Sequence, residues 1–269
     1  MNPMLRSFPV LMTVLLVISA QAGQPSPYIT PQPYVRFFDS PFSVQHDYDF
    51  CLETFEDGTF DVPGTTGDGS VLGPSSNTDS VDDDDGVTDG FGRDGHSYFS
   101  GSGTITFTFT EGRTNGYPTK LAVVWTDGGP ATPVTFEAFG PDGQSYGVAD
   151  APLHADLTNT GETAEDRSYA IQTAAGISKI TISNAIGGIE VDHLQLDRCI
   201  VCGDTNQDLH VAASDALVAL RTSVGTGTCR LCICDTNNSN SVSVSDALAM
   251  LRKSVGLAQG MNCPDCVFL

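Results

Sequence analysis

The 269-residue sequence predicts an antiparallel β-sandwich of jelly-roll type followed by a small α-helical module made of a tandem loop-helix unit. Three observations predict it. Between residues 47 and 198, short runs rich in Val, Ile, Thr and Phe recur between Gly, Pro, Asn and Asp, the pattern of strands with one buried face. Beyond residue 198, a 22-residue segment is repeated at an offset of 31 with 13 identities, which marks an internal duplication. The 28 Gly and 15 Pro, set against only 12 Lys+Arg, favour turns and short strands over long ion-paired helices.

Residues 1–22 read as an export signal: Arg6 supplies a basic start, an apolar run follows, and Ala20-Gln21-Ala22 gives the small-x-small pattern of a cleavage site. The expectation is a secreted, extracellular protein. No later stretch has the roughly 20 apolar residues of a membrane span, so none is expected in the mature chain. Residues 23–46 read as an N-terminal extension. The sandwich strands then follow as Gly103 to Phe109, Lys120 to Trp125, Val134 to Gly140, Ser178 to Ser183 and Ile189 to Leu196. Ile105, Phe107 and Phe109 alternate cleanly, as do Ile180 and Ile182, and about 150 residues suffice for one full core. A net charge of −21 argues against nucleic acid as a partner, because a polyanion needs a basic surface.

Residues 199–269 form the second unit. Each copy of the repeat pairs an oxygen-rich loop with a helical pattern. Loop one offers Asp204, Asn206, Asp208 and Asp215 at its first, third, fifth and twelfth positions; loop two offers Asp235, Asn237, Ser239 and Asp246. Calcium takes six to eight oxygen ligands, and a twelve-residue loop supplying them at positions 1, 3, 5, 7 and 12 is the EF-hand arrangement. Position 7 gives a backbone carbonyl, from His210 and from Ser241. Val211 and Val242 at position 8 are expected to turn inward. The following apolar residues recur with helical spacing, Leu217, Leu220 and Val224, then Leu248, Leu251 and Val255, and the two stripes are expected to bury against each other.

On these residues the C-terminal unit resembles a dockerin, a tandem calcium loop-helix domain that docks onto a cohesin. The resemblance implies calcium as cofactor and a cohesin-like protein as partner. The family's partner-reading positions fall on Ala213, Ser214 and Arg221, and on Val244, Ser245 and Arg252. Two departures stand out. Glycine is usual at loop position 6, where φ is positive, but Leu209 and Asn240 stand there, and asparagine tolerates that conformation better than leucine. Ser239 replaces an expected Asp, leaving the second loop one carboxylate short.

Seven of the eight cysteines, Cys199, Cys202, Cys229, Cys232, Cys234, Cys263 and Cys266, lie in or beside the duplicated unit, and Cys51 opens the sandwich. Some have the C-x2-C spacing of a zinc site. Export to an oxidising compartment and the small core of the module favour disulfides instead. If the first and last strands are neighbours, Cys51 and Cys199 can close the sandwich; the other six allow fifteen pairings that the sequence does not rank.

Residues 47 to 196 also resemble extracellular modules of the carbohydrate-binding and galactose-binding-like class. In that class an acidic opening segment and an Asp in the last strand share a structural calcium. The matching positions are Glu53, Glu56 or Asp57, with Glu56 taken as the ligand, and Asp192. Between them lie seven Asp from Asp79 to Asp94, either a flexible loop or one ordered by ions, with Asp82, Asp84, Asp89 and Asp94 as candidate ligands of a further calcium site. Trp125 is either core or a platform for a sugar ring, with Tyr98, Tyr117 and Tyr146 as companions. No G-x-S-x-G, H-E-x-x-H or Gly-rich phosphate loop is present. The resemblances imply a secreted, non-catalytic calcium-binding protein, its sandwich recognising a polysaccharide or cell-surface glycan and its module docking a protein. An extracellular polysaccharide-active glycoside hydrolase carrying a dockerin is the alternative.

Overall fold

The computed structural model describes residues 26–43, 50–111, 116–128, 133–150, 160–206, 210–257, 260–264 and 266, so the export signal read in residues 1–22 lies outside the described residues. Two antiparallel sheets make the larger unit, with strands numbered in chain order. One sheet runs β1 (Tyr28–Pro33), β10 (Arg167–Gln172), β7 (Lys120–Gly128), β12 (Ile189–Leu196), β5 (Ser97–Ser100) and β4 (Ser70–Leu72), and β2 (Cys51–Glu53) also pairs with β12. The other runs β3 (Thr65–Gly67), β6 (Thr104–Phe109), β11 (Lys179–Asn184), β8 (Val134–Phe139) and β9 (Ser145–Asp150). Strand β12 is long enough to take two partners on one edge: its start pairs with β5 and its end, Leu194 to Leu196, with Glu53 to Cys51 of β2.

The core follows from strand alternation. Ile105, Phe107 and Phe109 of β6, Ile180 and Ile182 of β11, and Val134, Phe136 and Ala138 of β8 turn inward from the smaller sheet. They meet Leu121, Val123 and Trp125 of β7, Tyr169 and Ile171 of β10, and Val191, Leu194 and Leu196 of β12. Each of these large side chains contributes roughly 2 kcal/mol by leaving water. Trp125 is fully buried, which removes it as a sugar platform and settles its place in the core.

The outer face of the larger sheet is buried too. Ala122, Val124 and Ala170, which point away from the core, are covered by Phe42, Phe50, Tyr34 and Val81. Every residue of β12 is therefore buried, although half of them are polar. This third layer corrects the reading of residues 23–46 as an extension: β1 is the edge of the larger sheet, in register with Ser168 to Ile171 of β10, and Tyr34 is buried. Proline suits that edge, since its missing N–H faces away from the ladder.

The C-terminal unit holds α1 (Ala213–Ser223), the short α2 (Leu231–Cys234) and α3 (Val244–Ser254). Its core is made of Ile200, Ala216, Ala219, Ile233, Ala247, Met250 and cystine sulfur, with Val211 and Val242 packed against it as expected. The helix faces differ from expectation. Leu217, Leu220, Val224, Leu248, Leu251 and Val255 are 40 to 66% exposed, while the neighbouring Ala216, Ala219, Ala247 and Met250 are buried. The small alanines allow α1 and α3 to approach closely, and the leucines are left at the rim.

All eight cysteines are paired: Cys51–Cys199, Cys202–Cys263, Cys229–Cys234 and Cys232–Cys266. The first ties β2 to the residue run after β12, and the other three lie wholly within the C-terminal unit.

Candidate metal centre and docking groove

A bulge in β12 builds the polar side of the sandwich. The register with β7 shifts between Asp192 and Gln195, and His193 takes a positive φ of 45°. Such a bulge re-aims side chains, so that Asp192 and His193 both serve the outer side while Leu194 returns to the core. His193 Nε2 lies 2.8 and 2.9 Å from the two oxygens of Asp84, and its Nδ1 lies 2.7 Å from the Tyr34 hydroxyl. Gln195 donates from Nε2 to the same hydroxyl at 3.1 Å and accepts from Ser40. One assignment satisfies the whole chain: Nε2–H donates to Asp84, and Tyr34 donates to Nδ1. Asp192 Oδ2 accepts from the Val81 N–H at 2.9 Å, fastening the acidic segment to the strand.

Asp84, Asp192 and His193 place ligand atoms within 4.8 Å of one another, and so do Asp57, Asp61 and His210 on the surface. The surface cluster has the composition and spacing to hold a divalent cation; in the buried one a cation would take the place of the proton that His193 Nε2 donates to Asp84. Glu56, the expected companion of Asp192, instead accepts from the backbone and ring of His96. Its charge is nonetheless felt by Asp192. Burial pushes the carboxyls of Asp192, Asp79 and Asp166 well above the usual range, and repulsion among them adds to it. Glu190 is raised to about 7, again chiefly by burial.

The sequence named Asp192, and named Asp84 only as a contributor to a separate calcium site; Asp79, Asp166, Glu190 and His193 were missed as members of one face. Asp84 lies in the Asp-rich segment that the sequence left as either flexible or ion-ordered; here that segment covers the larger sheet. Tyr98 lies in the same core as Trp125, stacked on Phe55, and Tyr117 and Tyr146 pack against that core.

In the C-terminal loops the twelfth-position carboxylates organise backbone. Asp215 accepts from the N–H groups of Thr205 and Ala212, both at 2.8 Å, and Asp246 accepts from the Ser243 N–H at 2.8 Å. Asp235 accepts from the N–H groups of Ser239 and Asn240. Asn240 has φ of 63°, the conformation anticipated for loop position 6. Asp204, Asp215, Asp235 and Asp246 are buried. Asn206, Asn237, Ser239 and Ser241 lie along the same loops, Asn237 donating to Ser245 and Ser239 to the Ser241 carbonyl. Asp208 and Leu209 lie outside the described residues. The His210 side chain turns to the sandwich, 3.3 Å from Asp57.

The exposed leucines line a groove between α1 and α3, formed by Ala213, Ala216, Leu217 and Leu220 from one copy and Val244, Ala247, Leu248 and Leu251 from the other. The two sets are the same repeat positions, so the groove has approximate two-fold symmetry. Ser214, Arg221, Ser245 and Arg252 belong to the same two helices.

No known protein-family profile matches the chain, and no curated protein matches it. Among solved structures it is similar to the K2 cleaved adhesin domain of Lys-gingipain, at 14% identity and a TM-score of 0.36 over 55% of this chain and 98% of that one. It is also similar to a CsCBM6-3 structure from Clostridium stercorarium in complex with cellobiose, at 15% identity and a TM-score of 0.28 over 51% and 88%. A third is the Clostridium thermocellum xylanase 10B CBM22-1-GH10 structure with xylohexaose, at 12% identity and a TM-score of 0.30 over 56% and 29%. Likenesses this distant carry no argument about function. Among the described residues no helix is long and apolar enough to cross a membrane.

Proposed function

We propose that the protein is a secreted, non-catalytic calcium-binding protein whose C-terminal dockerin-like module binds a cohesin-like protein and whose jelly-roll sandwich contacts a surface or glycan. The two-fold apolar groove between α1 and α3 carries the reading. A helix pair that leaves four leucines 40 to 46% exposed at matched repeat positions presents an apolar centre, on helices that also carry Ser214, Arg221, Ser245 and Arg252, and an apolar centre is what the core of a protein interface needs. Calcium in the two loops would fix the start of each helix and so the shape of the groove, its ligands being Asp204, Asn206, Asp208, Asp215 and the His210 carbonyl in loop one, and Asp235, Asn237, Ser239, Asp246 and the Ser241 carbonyl in loop two. Calcium at Asp192, with Asp84 and Glu56 nearby, would be structural.

The alternative, a polysaccharide-active hydrolase, needs two carboxyls that substrate can reach. Glu190, with a carboxyl pKa of about 7, has the acidity of a general acid. It is only 4% exposed beneath the third layer, so substrate would reach it only if that layer opened.

The full chain is titrated with purified cohesin domains in calcium and in chelator, and assayed on a polysaccharide panel. Calcium-dependent binding that is lost in Leu217→Arg with Leu248→Arg supports the docking role. Turnover abolished by Glu190→Gln would establish the hydrolase instead.

A further inference from the structure

Beneath the acidic segment, five side-chain oxygens are buried with no hydrogen-bond partner among the described residues: Asp79 Oδ1, both oxygens of Asp166, Thr126 Oγ1 and Ser168 Oγ. Asp166 and Thr126 are fully buried, Asp79 is 1% exposed and Ser168 3%. They come from three segments that meet on one face. Ser168 pairs with Val124, which packs against Tyr34 and Val81 on the outer side of the larger sheet. Alternation puts Thr126 of β7, and Asp166 just ahead of β10 and two residues before Ser168, on that side as well. Asp79 reaches it from above, its N–H donating to Glu190 Oε1 at 3.1 Å.

The charge balance here is one-sided. Asp166 feels the negative charges of Asp79, Glu165, Asp192 and Asp82, and Asp79 those of Glu190, Asp127, Glu165 and Glu162. The nearby arginines do not offset them. Arg167 donates to the backbone carbonyls of Ala164 and Asp166, and Arg93 pairs with Glu162. An ionised carboxylate buried with no partner costs several kcal/mol, and the unpartnered hydroxyls add to that cost. A carboxylate-and-hydroxyl set with no nitrogen or sulfur suits a hard cation.

We propose that Asp79, Asp166, Thr126 and Ser168 form a buried calcium site that clamps the acidic segment 78–94 onto the outer face of the larger sheet. The site is separate from Asp84, Asp192 and His193 and from the C-terminal loops. A bound cation joins an inserted segment to β7 and β10 at once, and its binding energy becomes stability of that layer.

The test uses the full chain carrying Asp215→Ala and Asp246→Ala, which silences the C-terminal loops. After stripping with chelator and re-equilibration in calcium, retained calcium is counted by elemental analysis, and amide exchange is followed across 78–94. Calcium should slow exchange there, and adding Asp166→Asn should remove one calcium equivalent per chain together with that protection. In chelator, D166N should melt at or above its parent, because asparagine stays neutral where burial and the neighbouring carboxylates oppose a charge; in calcium it should melt below. If D166N fails to fold, Thr126→Val takes its place and should shrink the calcium-induced rise in melting temperature. The proposal is overturned if D166N keeps the full complement of calcium while Asp84→Asn loses an equivalent. It is equally overturned if exchange across 78–94 is indifferent to calcium, or if D166N lowers melting by the same amount with and without calcium, the mark of a purely structural side chain.

Discussion

His193 Nε2 lies 2.8 Å from Asp84 Oδ2, joining the bulge of β12 to the acidic segment that covers it. The pair continues through Tyr34 to Gln195 and Ser40, so one imidazole orders groups from three parts of the chain. His193→Ala leaves Asp84 and Tyr34 without their partner in a buried setting, and should cost about 3 kcal/mol in guanidinium unfolding. Tyr34→Phe, which removes only the hydroxyl, should cost about 1 kcal/mol. Equal losses would mean that packing of the rings, and not the hydrogen-bond chain, holds this layer.

Stability should fall as pH rises from about 4.5 to about 7 when divalent cations are chelated. Glu190 and Glu53 are each raised from 4.5 to about 7 by burial, so in this window the folded state holds protons that the unfolded state has released. That contribution is complete below pH 4.5, is lost as pH passes through 7, and amounts to about 3 kcal/mol per group. Glu190→Gln should flatten the dependence of melting temperature on pH. A profile unchanged in E190Q would assign the slope to other carboxyls.

Reduction and alkylation should add eight thiols' worth of mass, with none alkylated beforehand. Because three disulfides lie within the C-terminal unit, Cys51→Ser with Cys199→Ser should leave its melting unchanged and lower the stability of the sandwich by about 5 kcal/mol, the value for closing a loop of this length. Destabilisation of the helices in this variant would show that the two units fold as one.

Leu217→Arg and Leu248→Arg should change stability by no more than about 0.5 kcal/mol, since both side chains are about half exposed. Ala219→Leu, at a fully buried site between the helices, should cost about 1 to 3 kcal/mol through overpacking. Denaturant midpoints separate the two, and a large loss from the leucine changes would place them in the core after all.

The sandwich was legible wherever a strand has one apolar face: β6 and β11 alternate in sequence as they do in space, whereas in β8 Phe139 breaks the alternation that Val134, Phe136 and Ala138 keep. β12 was legible as a strand but not as a doubly covered one, because its outer residues, Glu190, Asp192 and Gln195, are polar and read as solvated. β1 was hidden by its prolines. The helices were found and their buried faces misread, since an apolar stripe of leucines outweighs a row of alanines in any periodicity, whereas close approach of two helices selects the small residues. Asp79 and Asp166 are 87 residues apart in the chain, and no local pattern links them.

The Cys51–Cys199 bond spans 148 positions and encloses nearly every strand of the sandwich. Tension applied at the C-terminal unit therefore crosses from Cys199 straight to Cys51, and the strands between them carry none of the load. Of the strands, only β1, ahead of Cys51, stands in series with such a pull. A protein tethered through its C-terminal groove would keep its folded sandwich under shear that would peel an unbridged sheet strand by strand.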